Sequence, residues 1–190
     1  MTFALVSGNP ALDLAGTLQW RRTDPVELLV DPAALQSWLA QAGLVPGDVR
    51  VRPADLSRAM GLREAVYRLA CDRLADRGYD EAALGIVNGA AAGPAVEIAL
   101  TASGVRRRGD VDAALGEVAR SLIVLLGGAD APPIKECGRS ACTRLYLDRS
   151  RGARRSWCGM EECGNRVKAA AYRARRRATG PGRGPTEHTG

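Results

Sequence analysis

The run Cys137-Gly-Arg-Ser-Ala-Cys142-Thr-Arg-Leu-Tyr-Leu-Asp-Arg-Ser-Arg-Gly-Ala-Arg-Arg-Ser-Trp-Cys158-Gly-Met-Glu-Glu-Cys163 holds four of the chain's five cysteines within 27 residues. Two pairs, each C-x4-C, stand fifteen residues apart. Zinc takes four ligands in a tetrahedron and suits thiolate sulfur. Two short loops that each deliver two cysteines meet that need. One structural zinc on Cys137, Cys142, Cys158 and Cys163 is therefore expected. Disulfides are the competing reading. The first twenty residues carry Asn9, Pro10 and Asp13 and lack a charged segment followed by an apolar run, so no secretory signal is expected. A cytoplasmic chain is the expectation, and there paired cysteines more often bind metal. No run of eighteen apolar residues predicts a membrane span.

Between the pairs, residues 143–148 and 154–157 read as two short strands. Residues 149–153 make the turn, with Gly152 free to take positive φ. After Cys163, Val167, Ala170, Ala171, Ala174 and Ala178 recur at spacings of three and four and predict a helix with one small-residue face. Arg166, Lys168, Arg173, Arg175, Arg176 and Arg177 cover the rest. The expected unit is a small treble-clef-like finger: knuckle, hairpin, basic helix. It has too little apolar surface to fold by burial alone, so the metal is expected to supply much of its folding free energy.

Cys163-Gly164-Asn165-Arg166 resembles the motif of the CGNR zinc finger. So do residues 145–150 (Leu-Tyr-Leu-Asp-Arg-Ser), 157–160 (Trp-Cys-Gly-Met) and 172–176 (Tyr-Arg-Ala-Arg-Arg). The amino-terminal part is similar to the ABATE domain found before that finger, through Asn9-Pro-Ala-Leu-Asp-Leu, Leu35-Gln-Ser-Trp-Leu and Gly61-Leu-Arg-Glu-Ala. The resemblance covers roughly residues 5–178. It implies a stress-linked transcription regulator whose finger binds DNA. The family often has Asn-Thr after its Leu-Asp segment, where this chain has Gly16-Thr17.

Charge is placed unevenly. Residues 134–178 hold 13 Lys and Arg against 4 Asp and Glu, whereas residues 1–133 hold 13 Arg against 16 acids. A compact, single-signed appendage is the electrostatic footprint of a polyanion binder. Duplex DNA is the expected partner. Phosphate contacts fall to Arg149, Arg151, Arg154 and Arg155 of the turn and to Lys168, Arg173, Arg175, Arg176 and Arg177 of the helix. Base reading falls to Asn165, Arg166 or Arg173. One finger offers little surface, so a homodimer or partner is expected to add specificity. The other class is a structural or protein-interaction zinc module, in which the basic helix lies against the acidic body; release of zinc on cysteine oxidation is a variant of either. RNA stacked on Tyr146, Trp157 and Tyr172 is a third reading, set against packing of at least two of them in the finger core.

The body reads as mainly helical with one small hairpin, which makes the whole chain α+β. Helices are predicted from Asn9-Pro10 to near Trp20, from Asp31 to Gly43, over 53–76, from Asp80 to 89–93, and from Asp110 to Gly127. Residues 95–101 alternate like a strand and pair with 105–108, whose Arg106, Arg107 and Arg108 read as a solvated edge. The domains are 1–131, a finger at 134–178, and a disordered tail at 179–190.

No enzyme is expected. The single histidine, His188, stands in the tail, phosphate-loop motifs are absent, and four cysteines close the zinc. The body is instead read as a candidate sensor for a small ligand. Asn9, Asp13 and Thr17 recur on one helical face, with Arg63 expected to pair with Asp13; a cap and surface residues are the plainer reading.

Overall fold

The computed structural model describes residues 2–178. Four helices start where the sequence supplies an acceptor for a free helical amide. Asn9 receives Ala11 N at 2.9 Å and opens α1 (Pro10–Ala15), and Asp31 receives Ala34 N at 2.7 Å and opens α2 (Pro32–Gln41). The long α3 spans Pro53–Leu74. Asp80 caps α4 (Glu81–Ala91) and Asp110 caps α5 (Val111–Gly127). Proline at the first turn of α1, α2 and α3 fixes φ where no amide donor is needed.

α1 is shorter than expected. Gly16 caps it, and the Thr17 hydroxyl donates back to Leu14 O at 2.7 Å, which satisfies a terminal carbonyl and ends the spiral. The chain then forms a two-residue ladder, β1 (Leu18–Gln19) against β2 (Val26–Glu27), which the sequence reading did not foresee. β3 (Glu97–Thr101) and β4 (Gly104–Arg108) form the expected hairpin.

The core lies where α3 meets α1, α2, α4 and α5. Leu14, Leu35, Trp38, Leu39, Leu62, Val66, Leu69, Val118 and Leu122 are essentially inaccessible. No helix among the described residues is long and apolar enough to cross a membrane.

The last segment is β5 (Ile134–Glu136), β6 (Leu145–Leu147), a single π-turn over Met160–Gly164 and α6 (Asn165–Ala178). It is docked on the body. Leu145 and Leu147 of β6 pack with Leu12 of α1, Ala70 of α3 and Leu125 of α5 in a second buried cluster. Leu147 N donates to Ser7 O at 2.8 Å, and Arg22 pairs with Glu136. The expected disordered tail at 179–190 lies outside the described residues.

Candidate metal centre and nucleic-acid interface

The finger's hairpin sits in a different place from the one expected. β6 pairs backward with β5, antiparallel, with Lys135 opposite Tyr146. The turn of that hairpin is therefore the first cysteine loop itself, closed by Cys137 N to Arg144 O at 3.0 Å and Cys142 N to Arg139 O at 2.8 Å. Residues 154–157 form no strand. They are tied by Gly138 N to Ser156 O at 2.8 Å and by the Tyr146 hydroxyl to Arg155 O at 2.7 Å. Those bonds bring Cys158 to the first pair. The π-turn, with Gly164 N bonded to Gly159 O at 2.9 Å, lifts Cys163 to complete the set.

The four cysteines are buried, and their sulfurs lie within 4.8 Å of one another. Cys142 and Cys158 sulfurs are 4.0 Å apart. A Zn–S bond of about 2.3 Å sets tetrahedral S···S edges of roughly 3.8 Å, so the quartet matches one zinc with no fifth position. The thiols alone are electrostatically crowded. Sulfhydryl bonds from Cys142 and Cys158 hold Cys137 well below the ordinary thiol range. The bond to Cys137 pushes Cys142 up to about 11 and Cys158 higher still. Only a cation at the centre lets all four stand deprotonated together. This is a site for one structural zinc.

Just after β6 lies a polar knot around Asp148, a residue the sequence reading quoted but gave no role. Its carboxylate accepts from Lys135 Nζ at 2.8 Å, Ser150 N at 2.9 Å, Ser150 Oγ at 2.6 Å and Arg155 N at 3.0 Å. Burial would raise its pKa, but Lys135 and Ser150 hold it well below the usual carboxylate range. The signal was available: Asp148-Arg-Ser150 is an Asx-turn sequence directly after an alternating strand. Lys135, a third exposed, also donates to Ala153 O, so its pair with the buried Asp148 ties the arginine-rich loop to β5.

The basic candidates divide into two groups. Arg155 is spent inside the finger. It donates to Trp157 O at 2.7 Å, to Cys158 O and to Val6 O at 3.3 Å, and its guanidinium stands 4.5 Å over the Tyr146 ring. It is an internal brace and is corrected from the phosphate-binding set. Arg149, Arg151 and Arg154 are exposed around the turn, where Gly152 and Ala153 adopt φ of 71° and 49°. Asn165, Arg166, Lys168 and Arg173 are exposed on α6. Arg175, Arg176 and Arg177 lie on the helix, with side chains outside the described residues. Arg139, absent from the sequence-based set, joins Arg166 and Arg173 along an open groove of about 510 Å³. Among the described residues, no ion pair joins Arg166, Lys168 or Arg173 to an acid. Tyr146 is fully buried and Trp157 packs beside it, so these two aromatics belong to the finger core.

Of the four candidate ligand residues of the body, Arg63 and Thr17 meet, while Asn9 and Asp13 are turned to other partners. Asn9 caps α1 and donates to Ser121 O at 3.3 Å. Arg63 is buried and does not pair with Asp13. It bonds Glu27 at 2.6 Å and Glu64 at 2.8 Å, and touches Thr17 Oγ1 at 3.4 Å. Asp13 turns the other way, accepting from Ser7 N at 2.9 Å in the field of Arg144, a buried finger residue. Gly16 lies against the same arginine: a Cβ there would stand 3.3 Å from Arg144 Nε, so this departure from the family's Asn changes the seam between body and finger.

Burial pushes the Asp13 carboxyl above its ordinary value, against the Ser7 bonds and the Arg144 charge. A carboxyl raised on folding binds its proton more tightly in the native state. Its contribution is full below the unfolded value of about 3.9 and is lost as pH rises through the folded value. Asp13→Asn keeps an oxygen for Ser7 N and has no charge to desolvate. Its thermal midpoint relative to wild type is expected to rise as pH is raised from below about 3.9 towards neutrality. A falling difference in a melting series would mean that attraction to Arg144 outweighs burial.

Two family models match. Residues 8–129 match ABATE, described as "Putative stress-induced transcription regulator", and residues 134–176 match the CGNR zinc finger. No curated protein matches the chain.

Proposed function

Because the chain belongs to the ABATE family and ends in a CGNR zinc finger, we propose that it regulates transcription by binding duplex DNA through that finger. The observation that carries this reading is the state of α6. Its described cations are exposed and lack acidic partners, although the body beneath the finger is net acidic. A helix serving only as a staple would be expected to neutralise that charge internally. Arg139, Arg166 and Arg173 border one groove suited to phosphates, while Arg149, Arg151 and Arg154 add a second basic edge. Asn165 at the start of α6 and Arg166 beside it have the chemistry to read adenine and guanine edges. The zinc holds this surface and takes no part in bond-making, since its four positions are closed.

The docking of Leu145 and Leu147 on Leu12, Ala70 and Leu125 favours one element of the structural alternative. In this reading the body acts on the finger through that seam, and Asn9, Asp13, Thr17 and Arg63 serve the fold.

The test is fluorescence anisotropy of labelled duplex DNA against the zinc-loaded full chain over a salt series. Each phosphate contact contributes a log–log slope of about −0.9. Arg166→Ala and Arg173→Ala are each expected to weaken binding and to reduce the slope by about one contact. Absence of binding at low salt would reject the DNA reading and leave the interaction module.

A further inference from the structure

The β3–β4 hairpin stands off the body. Val96 at its base is in the core, and Arg120 holds the entry through Ala91 O at 2.7 Å and Pro94 O at 3.0 Å. Beyond that the strands are exposed. Ile98 is 58% accessible, Leu100 87% and Val105 65%. The register pairs Leu100 with Val105 and Ile98 with Arg107, so these three apolar side chains share one face. A lone two-stranded ribbon is marginal in water, and an apolar, unguarded edge is a template for another strand. Among the described residues no main-chain bond joins either outer edge to another element.

The two edges differ in charge. β4 carries Arg106, Arg107 and Arg108, which repel a second copy of themselves. β3 is Glu97-Ile98-Ala99-Leu100-Thr101, with one charge, at its end. The loop between the strands has two residues, so Thr101 and Gly104 form a hydrogen-bonded pair. Alternation then turns the amide groups of Ile98 and Leu100 to the outer edge.

We propose that two copies of this chain associate through β3, antiparallel about a two-fold axis at Ala99. In that register Ile98 of each copy lies opposite Leu100 of the other, and their outward amides and carbonyls meet. Each row across the four-stranded sheet then reads Val105, Leu100, Ile98, Arg107, an apolar triplet closed by an arginine stem. On the other face Glu97 lies between Arg108 of its own hairpin and Thr101 of the second copy. Self-complementarity of this kind is what a two-fold interface requires. Three apolar side chains per copy fall short of the roughly 800 Å² per partner of a standard interface, so the dimer is of the weak, concentration-dependent class. Two fingers held on one duplex would tighten it through effective concentration, but the proposal stands without DNA.

Sedimentation of the zinc-loaded full chain between about 1 and 200 µM is expected to run from monomer towards dimer mass. Leu100→Lys leaves the hairpin's internal bonds in place and is expected to weaken association at least tenfold. The register has its own readout. Across a non-hydrogen-bonded pair, Cα atoms stand about 4.5 Å apart, within disulfide range. In a Cys71→Ser background, Ala99→Cys is expected to give a covalent dimer with oxidised glutathione as the two-electron acceptor. Thr101→Cys, four positions out of register with itself, is not. Monomer mass throughout, or equal cross-linking at 99 and 101, would overturn the proposal.

Discussion

Stripping the zinc, or replacing Cys158 with Ser, is expected to unfold residues 134–164 and to abolish the proposed DNA binding, the largest single effect available in this molecule. Cys158 is fully buried and shares the quartet with three other sulfurs within 4.8 Å. The finger's own core is little more than those cysteines, Tyr146 and Trp157. Structural zinc in small fingers supplies about 10–16 kcal/mol of apparent binding free energy, far above what this burial replaces. The body is expected to survive with a scar, because Leu12, Ala70 and Leu125 lose the cover of β6. Metal content and limited trypsin digestion read the outcome together. Metal-free protein should be cut rapidly at Arg149, Arg151 and Arg154, which the Asp148 knot otherwise holds in order. Full protection of that loop after verified loss of zinc would mean that docking on the body, and not the metal, maintains the finger.

The second large effect belongs to Arg63. Its side chain is 3% accessible, with Glu27 at 2.6 Å and Glu64 at 2.8 Å. Removing one partner of a buried ion pair leaves the other stranded, at a cost of about 3 kcal/mol at the lower end of the usual range. The lower end applies because Glu64 is half exposed and stays partly hydrated. Arg63→Ala is thus expected to lower the thermal midpoint by roughly 6–12 °C for a chain of this size. Far-ultraviolet circular dichroism on heating measures it. A midpoint within 2 °C of wild type would free Arg63 from its structural role and return it to the ligand-binding candidates.

These two sites mark how far the sequence could be read. Asn9, Asp31, Asp80 and Asp110 announced their helices because a cap acts on amides two or three residues away, and nothing distant competes. The cysteine quartet was readable for a related reason: spacing and residue type carry the coordination chemistry. The partner of β6 was not readable. Leu145-Tyr-Leu147 alternates equally well against 134–136 or 154–157, and the choice is made by Lys135 reaching Asp148 and by Tyr146 bonding Arg155 O. The same holds for Arg155 and Arg63. A sequence shows that an arginine exists, whereas its burial and its distant partners, Glu27 for Arg63 and Val6 for Arg155, depend on segments 36 and 149 residues away.

The threading of residues 6–8 beneath the finger bears on how the protein is made. Ser7 O receives Leu147 N, Gly8 O receives Arg149 and Val6 O receives Arg155, across separations of up to 149 residues. Val6 and Gly8 therefore leave the ribosome 149 and 141 residues before the arginines that bind them. Contacts this distant in sequence form late and slowly. A nascent chain arrested before Cys158 would leave residues 6–8 unlatched and the metal loop unfilled at once, so one seam registers both synthesis of the finger and zinc supply.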